Sequence, residues 1–187
     1  MKKVFIDGGG NNGNSVDFFL ANYPNAFEFE VHSFECHPKM YEQLKEKESA
    51  KVHTYCKALA DSEGIQTFYL SVSDFGSTLN KTKITGKISE KRTIQVQTVD
   101  ISKFITSNFT PEDFIILKLD IEGAEYPVLR RLLDTEVIQY VDVLYGEWHQ
   151  QKLKDVTEEE HLQLVEELQE VGLEMKPWNA LSRTFKL

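Results

Sequence analysis

The chain has 187 residues, 41% of them hydrophobic and 27% charged, enough for one domain that buries its own core without disulfides or metals. A formal net charge of −9 argues against nucleic acid as a partner, because phosphate binding calls for a net basic face. Two cysteines, Cys36 and Cys56, stand in no CxxC spacing, which fits a reducing compartment better than a disulfide framework.

Taken in chain order, short β-rich runs alternate with helical stretches, as in a mostly parallel sheet flanked by helices. Val4-Phe5-Ile6 predicts a first strand, and a glycine-rich turn follows. Ser15 to Asn22 carries Val16, Phe19 and Leu20 at helical spacing, ending at Pro24 and Asn25. Glu30 to Glu35 reads as a second strand, Pro38 to Lys47 as a helix opened by proline, and Lys51 to Ala60 as a third strand. Ile65 to Val72 and Arg92 to Val99 are β-like, with a polar, lysine-rich stretch of 73–91 between them that predicts an exposed hairpin or flap. Phe114 to Leu119 is a fourth strand, Ala124 to Leu133 a helix, and Val141 to Tyr145 a fifth strand. Thr157 and Glu160 form a capping box on a helix running to Val171, with Leu162, Val165 and Leu168 as its stripe and Gly172 as its stop. Leu173 to Trp178 and Arg183 to Leu187 are expected to close the sheet as an antiparallel pair.

Open α/β sheets bind ligands beyond the C-terminal ends of their strands, and four polar clusters fall at such ends. The turn Asp7-Gly8-Gly9-Gly10-Asn11-Asn12-Gly13 allows close backbone approach to a ligand. It lacks the Lys-Ser/Thr of a phosphate-binding P-loop. Glu35, 22 residues after Gly13, stands about where an acid takes the ribose hydroxyls of an adenosine cofactor. Those two clusters leave nicotinamide and sulfonium cofactors equally open. Asp120, Glu122 and Glu125 then make an acid-rich mouth after the fourth strand, which suits a cationic sulfonium and repels a pyrophosphate. Glu122 and Glu125 also have a structural reason to stand there, at a helix N-terminus. After the fifth strand, Glu147 and His149 alternate onto one face, and His149 can serve as a general base. A metal site from His37, Asp120, Glu147 and His149 has no supporting i, i+4 pair, and no metal is expected.

These motifs together resemble the FkbM family of S-adenosylmethionine-dependent methyltransferases over residues 4 to 149. Phe5-Ile6-Asp7-Gly8-Gly9-Gly10-Asn11-Asn12-Gly13 is similar to the family's D-x-G-A-N-x-G loop, with Gly10 in place of Ala. Phe34-Glu35-Cys36-His37-Pro38 resembles F-E-P-x-P, with Cys36 in place of Pro. Ala58-Leu59-Ala60-Asp61, Gly76-Ser77-Thr78-Leu79 and Gln97-Thr98-Val99-Asp100 resemble later family elements. Lys118-Leu119-Asp120-Ile121-Glu122-Gly123-Ala124-Glu125 is close to K-I-D-V-E-G-A-E, and Glu147 with His149 resembles its E-x-H.

The resemblance implies a Rossmann-like class I methyltransferase fold: a mostly parallel seven-stranded sheet with helices on both faces and an antiparallel C-terminal strand. It places a β-hairpin or flap between strands three and four. It also implies methyl transfer to a hydroxyl of a sugar or other small molecule. By it, Asp7, Gly9 and Gly13 shape the cofactor loop, Glu35 binds ribose, Asp61 lies near adenine and Asp120 at the methionine end. The full cofactor-binding set is Asp7, Gly8, Gly9, Gly10, Asn11, Gly13, Asn14, Glu35, Cys36, Ala60, Asp61 and Asp120; the catalytic set is Asp120, Glu147 and His149. Substrate cover is expected from residues 73–91 or from a partner.

A small-molecule or glycan substrate, no nucleic acid, no membrane, and a monomer or homodimer are the expected associations. The run before Asp7 is too short for a secretory h-region, and no stretch approaches the roughly 20 apolar residues that span a bilayer, so a cytoplasmic location is expected. Two rivals share the loop and Glu35: a nicotinamide-dependent oxidoreductase and a non-catalytic cofactor-binding protein.

Overall fold

The structure is a computed structural model that describes residues 1–73 and 75–178. Strands β1 (Lys3–Gly8), β2 (Glu30–Phe34) and β3 (Val52–Tyr55) come first; α1 (Asn14–Asn22) and α2 (Pro38–Leu44) form the crossovers between them. A second group follows as β4 (Ala58–Ala60), β5 (Gly64–Tyr69) and β6 (Thr93–Asp100). The chain then runs through α3 (Ile101–Asn108), β7 (Phe114–Leu119), α4 (Glu125–Asp134), β8 (Val141–Gly146), α5 (Glu158–Glu170) and β9 (Met175–Pro177). The main sheet has the order β3-β2-β1-β7-β8-β9, and every adjacent pair is parallel. Its strand order reverses between β1 and β7, where open α/β sheets leave a ligand crevice.

Burial on both faces explains the near-continuous apolar runs of β1 and β7. Val4, Ile6, Ile115, Leu117 and Leu119 face one core with Ile101 and Ile105 of α3, Leu129 and Leu132 of α4, and Leu164 and Leu168 of α5. Phe5 and Ile116 face the other with Val16 and Phe19 of α1 and Leu44 of α2. Phe5 stacks on Phe19 at 4.1 Å and on Trp178 at 5.5 Å between ring centroids.

Two expectations change. The predicted third strand divides: β3 pairs with β2, whereas β4 leaves for a separate three-stranded sheet ordered β4-β6-β5. The break falls at Cys56 and Lys57, because β2 ends at Phe34 and offers no partner beyond Tyr55. The buried stripe of α5 is Leu164 and Leu168; Leu162 is exposed, since six residues at 3.6 per turn carry it about 120° round the helix from Leu168. The main sheet shows six strands among the described residues, with β9 parallel to β8; Arg183 to Leu187, the other half of the expected antiparallel pair, lie outside the described residues. Helix α3 had not been anticipated. Its signal was local: Asp100 caps it, accepting from Ser102 N at 2.9 Å and Lys103 N at 3.3 Å, and Ile101 and Ile105 supply its buried face.

Residues 75–91 are irregular, with one isolated bridge between Tyr69 and Thr78 among the described residues, yet they are fastened down. Thr78 Oγ1 donates to Glu122 O at 2.7 Å, Lys83 pairs with Glu122, and Asn80 and Thr82 bond Asp155. The flap therefore packs on the loop that follows β7.

Candidate active site

Strand register sets the site. Gly8 is paired with both Phe34 and Leu119, and Leu119 with Gly146, so the four strands end level. The next residues of each chain segment form one rim: Gly9–Asn14, Glu35–His37, Asp120–Glu125 and Glu147–His149. A cleft of about 480 Å³ opens along this rim, within the range of small-molecule sites. Gly9, Gly10, Asn11, Asn14, Glu35, Cys36 and Asp120 line it.

The glycine loop is held by its own amides. Gly9 N and Gly10 N both donate to Phe34 O, Gly13 N to Gly10 O, Asn11 N to the Glu35 carboxylate, Asn12 N to Asn11 Oδ1 and Asn14 N to Asn12 Oδ1. No amide between Gly9 and Asn14 is left for an anion, unlike a phosphate-binding nest. Gly9 has φ +84°, and a Cβ there would collide with Asp120 O; a Cβ on Gly10 would collide with Ser33 Oγ. Gly13, also left-handed at φ +89°, turns toward the Lys47 side chain.

Asp7 does not reach the cleft. Fully buried, its carboxylate accepts from Ser15 Oγ at 2.6 Å and Ser33 Oγ at 2.7 Å, and it pairs with Lys118 Nζ at 2.9 Å. It supports the loop from beneath, with Gly8 behind it in the sheet. Ala60 and Asp61 likewise stand apart from the main cleft, in a neighbouring depression with Gln66 and Leu79. The walls near Cys36 are instead apolar: Met40, Ala58, Leu59 and Phe68. Burial pushes the Cys36 thiol well up, so it stays protonated as part of that wall.

Glu35 sits on the cleft wall with one carboxylate oxygen held by Asn11 N at 2.9 Å and the other by His37 N at 2.6 Å. Burial raises its proton affinity, against the lowering effect of those two amides. Beside it, His37 Nδ1 is buried with no hydrogen-bond partner among the described residues.

At the opposite strand, Asp120 is held by its amide to Gly8 O at 3.1 Å. Partial burial raises its pKa, and nearby Glu122 and Glu125 add to the rise; Lys118 and His149 oppose it. Behind it, His149 is 1% exposed, with Nδ1 at 3.0 Å from Glu125 Oε1. Its Nε2 lies 4.0, 3.5 and 3.7 Å from carboxylate oxygens of Asp120, Glu122 and Glu147. Burial lowers the His149 pKa, but the Glu125 hydrogen bond and the charges of Glu125 and Glu122 outweigh it, and the net shift is upward. His149 does not line the cleft, and its buried Nε2 makes no hydrogen bond among the described residues; Glu147 stands at the outer edge with its side chain 59% exposed.

Two residues of this site, Lys118 and Lys83, have no role assigned from the sequence, and a third, Glu125, is read there only as part of the acid-rich mouth and as an acid at a helix N-terminus. Lys118 is 2% exposed and lines the cleft floor, donating to Gly9 O at 3.0 Å. Burial alone would lower its pKa; Asp7, Asp120 and Glu35 raise it above the ordinary value. A lysine inside an Ile/Leu strand buried on both faces was itself the signal, since such a charge needs a partner. Glu125 is fully buried and binds Ile121 N at 2.8 Å and Gly123 N at 2.7 Å besides His149, a role beyond the helix macrodipole. Lys83, buried in the flap, pairs with Glu122 and donates to Gly76 O at 2.6 Å; burial acts to raise the Glu122 pKa, but Lys83 lowers it overall. Nothing set Lys83 apart from its lysine-rich surroundings.

A parallel α/β sheet, six-stranded among the described residues, with a cleft at its switch point defines a Rossmann-like domain. The family model described as Methyltransferase FkbM domain matches residues 7–175, and the chain belongs to that family. No curated protein and no solved structure matches it. Membership makes this a methyltransferase domain, which implies a methyl donor. No helix among the described residues is long and apolar enough to cross a membrane.

Proposed function

We propose that the protein is an S-adenosylmethionine-dependent O-methyltransferase acting on a hydroxyl of a sugar or other small molecule. The observation that carries this reading is the chemistry of the cleft rim. The glycine loop spends every amide from Gly9 to Asn14 inside the chain, and the facing mouth carries Asp120 and Glu122. A pyrophosphate finds no donors in the one and repulsion in the other; a cation finds attraction.

The donor set fits the proposed cofactor. Glu35, its carboxylate fixed by two amides, accepts ribose hydroxyls. Cys36, Met40, Ala58, Leu59 and Phe68 give an apolar wall for a flat base, and His37 Nδ1 supplies an unused polar atom there. Lys118 and Asp120 offer the opposite charges that an amino-acid group takes. When bound, S-adenosylmethionine supplies an electrophilic methyl group on a cationic sulfonium.

Asp120 is the group assigned to hold the acceptor hydroxyl and take its proton, because it lines the cleft and its raised pKa strengthens it as a base. His149 acts through Asp120 as a positioning residue: Glu125 fixes its ring, and its buried, charged edge keeps three carboxylates close together. Most of the rate enhancement then comes from holding the reacting groups in place, which is worth up to ~7–11 kcal/mol.

The test is methyl transfer from radiolabelled S-adenosylmethionine to a panel of sugars and small hydroxyl compounds. Wild-type protein labels at least one acceptor, and Asp120→Asn lowers kcat on it by about 10²–10⁴-fold. Equal rates for the variant would remove Asp120 from the reaction.

A further inference from the structure

We propose a zinc site at the far edge of the sheet, formed by Glu30 and His32 of β2 and His53 of β3, which binds one divalent ion with an open fourth position. It goes beyond the methyl-transfer reading and shares no residue with the cleft. The site lies toward the N-terminal ends of the strands, whereas the cleft lies at their C-terminal ends.

Strand geometry brings the three side chains together. Glu30 and His32 are two apart on one strand and so share a face, and His53 is the register partner of His32 across the β2–β3 pair. Glu30 Oε1 is 3.2 Å from His32 Nε2 and 3.4 Å from His53 Nε2, and the two imidazole rings lie 4.9 Å apart. The three ligand atoms all fall within 4.8 Å of one another. Tetrahedral bonds of about 2.0–2.2 Å place ligand atoms about 3.3–3.6 Å apart, so an ion fits with small adjustments.

A second observation marks the site as unfinished. His32 is 5% exposed, and its Nε2 is buried and makes no hydrogen bond among the described residues. Its other nitrogen is taken: Nδ1 lies 2.9 Å from Tyr55 Oη. A hydrogen bond on the far nitrogen is the arrangement that orients a metal-binding imidazole. Phe104 and Phe109 pack edge-on against the ring, 5.4 and 5.5 Å away, and hold its plane. Glu30 divides its oxygens, with Oε2 3.7 Å from Lys2 Nζ and Oε1 turned to the two histidines. His53, 40% exposed at its side chain, leaves the ion a face for water. Two imidazoles and a carboxylate suit zinc and its neighbours rather than magnesium or calcium.

The probe is Co²⁺ titrated into the metal-stripped full chain, followed by its visible d–d absorption. Wild-type protein takes up one equivalent, and Zn²⁺ displaces it. His53→Ala weakens binding by at least about 100-fold, and Tyr55→Phe weakens it by about 10-fold through the outer-shell bond. Both variants bind S-adenosylhomocysteine as the wild type does, which separates this site from the cofactor reading. The proposal is overturned if the wild type binds no Co²⁺ while still melting cooperatively. It is equally overturned if Co²⁺ binding survives in His53→Ala but is lost in His149→Asn, since the ion then sits with Asp120 and Glu122.

Discussion

Glu125 and His149 form a buried, hydrogen-bonded pair behind the cleft, and their chemistry can be read by pH. His149 Nδ1 rests on a fully buried carboxylate, and its Nε2 faces three more acids. The folded pKa is raised above the ordinary 6.5, so the charged ring stabilises the fold. That contribution is fully present below pH 6.5 and is lost as pH rises through the raised value. His149→Asn keeps a donor for Glu125 but no charge. Urea unfolding should therefore show the largest wild-type advantage near pH 6 and a shrinking one toward pH 9; a difference independent of pH would mean the ring is neutral in the fold. Sequence alone marked Asp120, Glu147 and His149 because they follow strands, and it left the division of labour among them open. Which of them touches the cleft depends on burial, and His149 is 1% exposed against Glu125, a burial no local pattern shows. Asp7 shows the same limit: its place after β1 was evident, but its pairing with Lys118 needed the register of β1 against β7.

Among the elements, the flap departs most from its sequence. Polar composition marks 73–91 as an exposed loop, yet Thr78, Asn80, Thr82 and Lys83 tie it to Glu122 and Asp155. Those partners are about 40 and 75 residues distant, beyond the reach of local pattern. Glu122 itself stands in left-handed backbone at φ 57°, a strained conformation for a non-glycine residue that its two flap bonds help hold. Lys83→Met should cost about 1–3 kcal/mol by leaving polar groups unpaired. Hydrogen exchange should then quicken at Val72 and Ile84, whose amides bond Gly86 O and Lys152 O, with β1 and β7 unchanged. Unchanged exchange there would show that other contacts hold the flap. Regular elements were far more legible. The capping box at Thr157 and Glu160 is present as the spelling implies, and β1, β2, β7 and β8 follow their apolar runs. The division of β3 from β4 was hidden because a bend at Cys56 and Lys57 costs no apolar residue and so leaves no mark in the pattern.

For the whole molecule, four strands ending level create the site. Level ends place the glycine loop, Glu35, Asp120 and Glu147 on one rim, although they come from widely separated parts of the chain. That arrangement follows from the parallel sheet, which the alternation of elements already pointed to, and from its strand register, which it did not. Composition adds the sign: a chain of net charge −9 with an acid-rich mouth favours a cationic ligand over a phosphate one. The cofactor proposed for the cleft between Glu35 and Asp120 is therefore of the sulfonium type. Calorimetry of the wild-type protein with S-adenosylhomocysteine tests this most directly. The prediction is one site with a dissociation constant in the micromolar range, about −8 kcal/mol, and no heat with NADH. At 100 times that constant, the ligand should stabilise the fold by about 2.7 kcal/mol, raising Tm by about 5–10 °C. No binding at millimolar S-adenosylhomocysteine, or tighter binding of NADH, would contradict it.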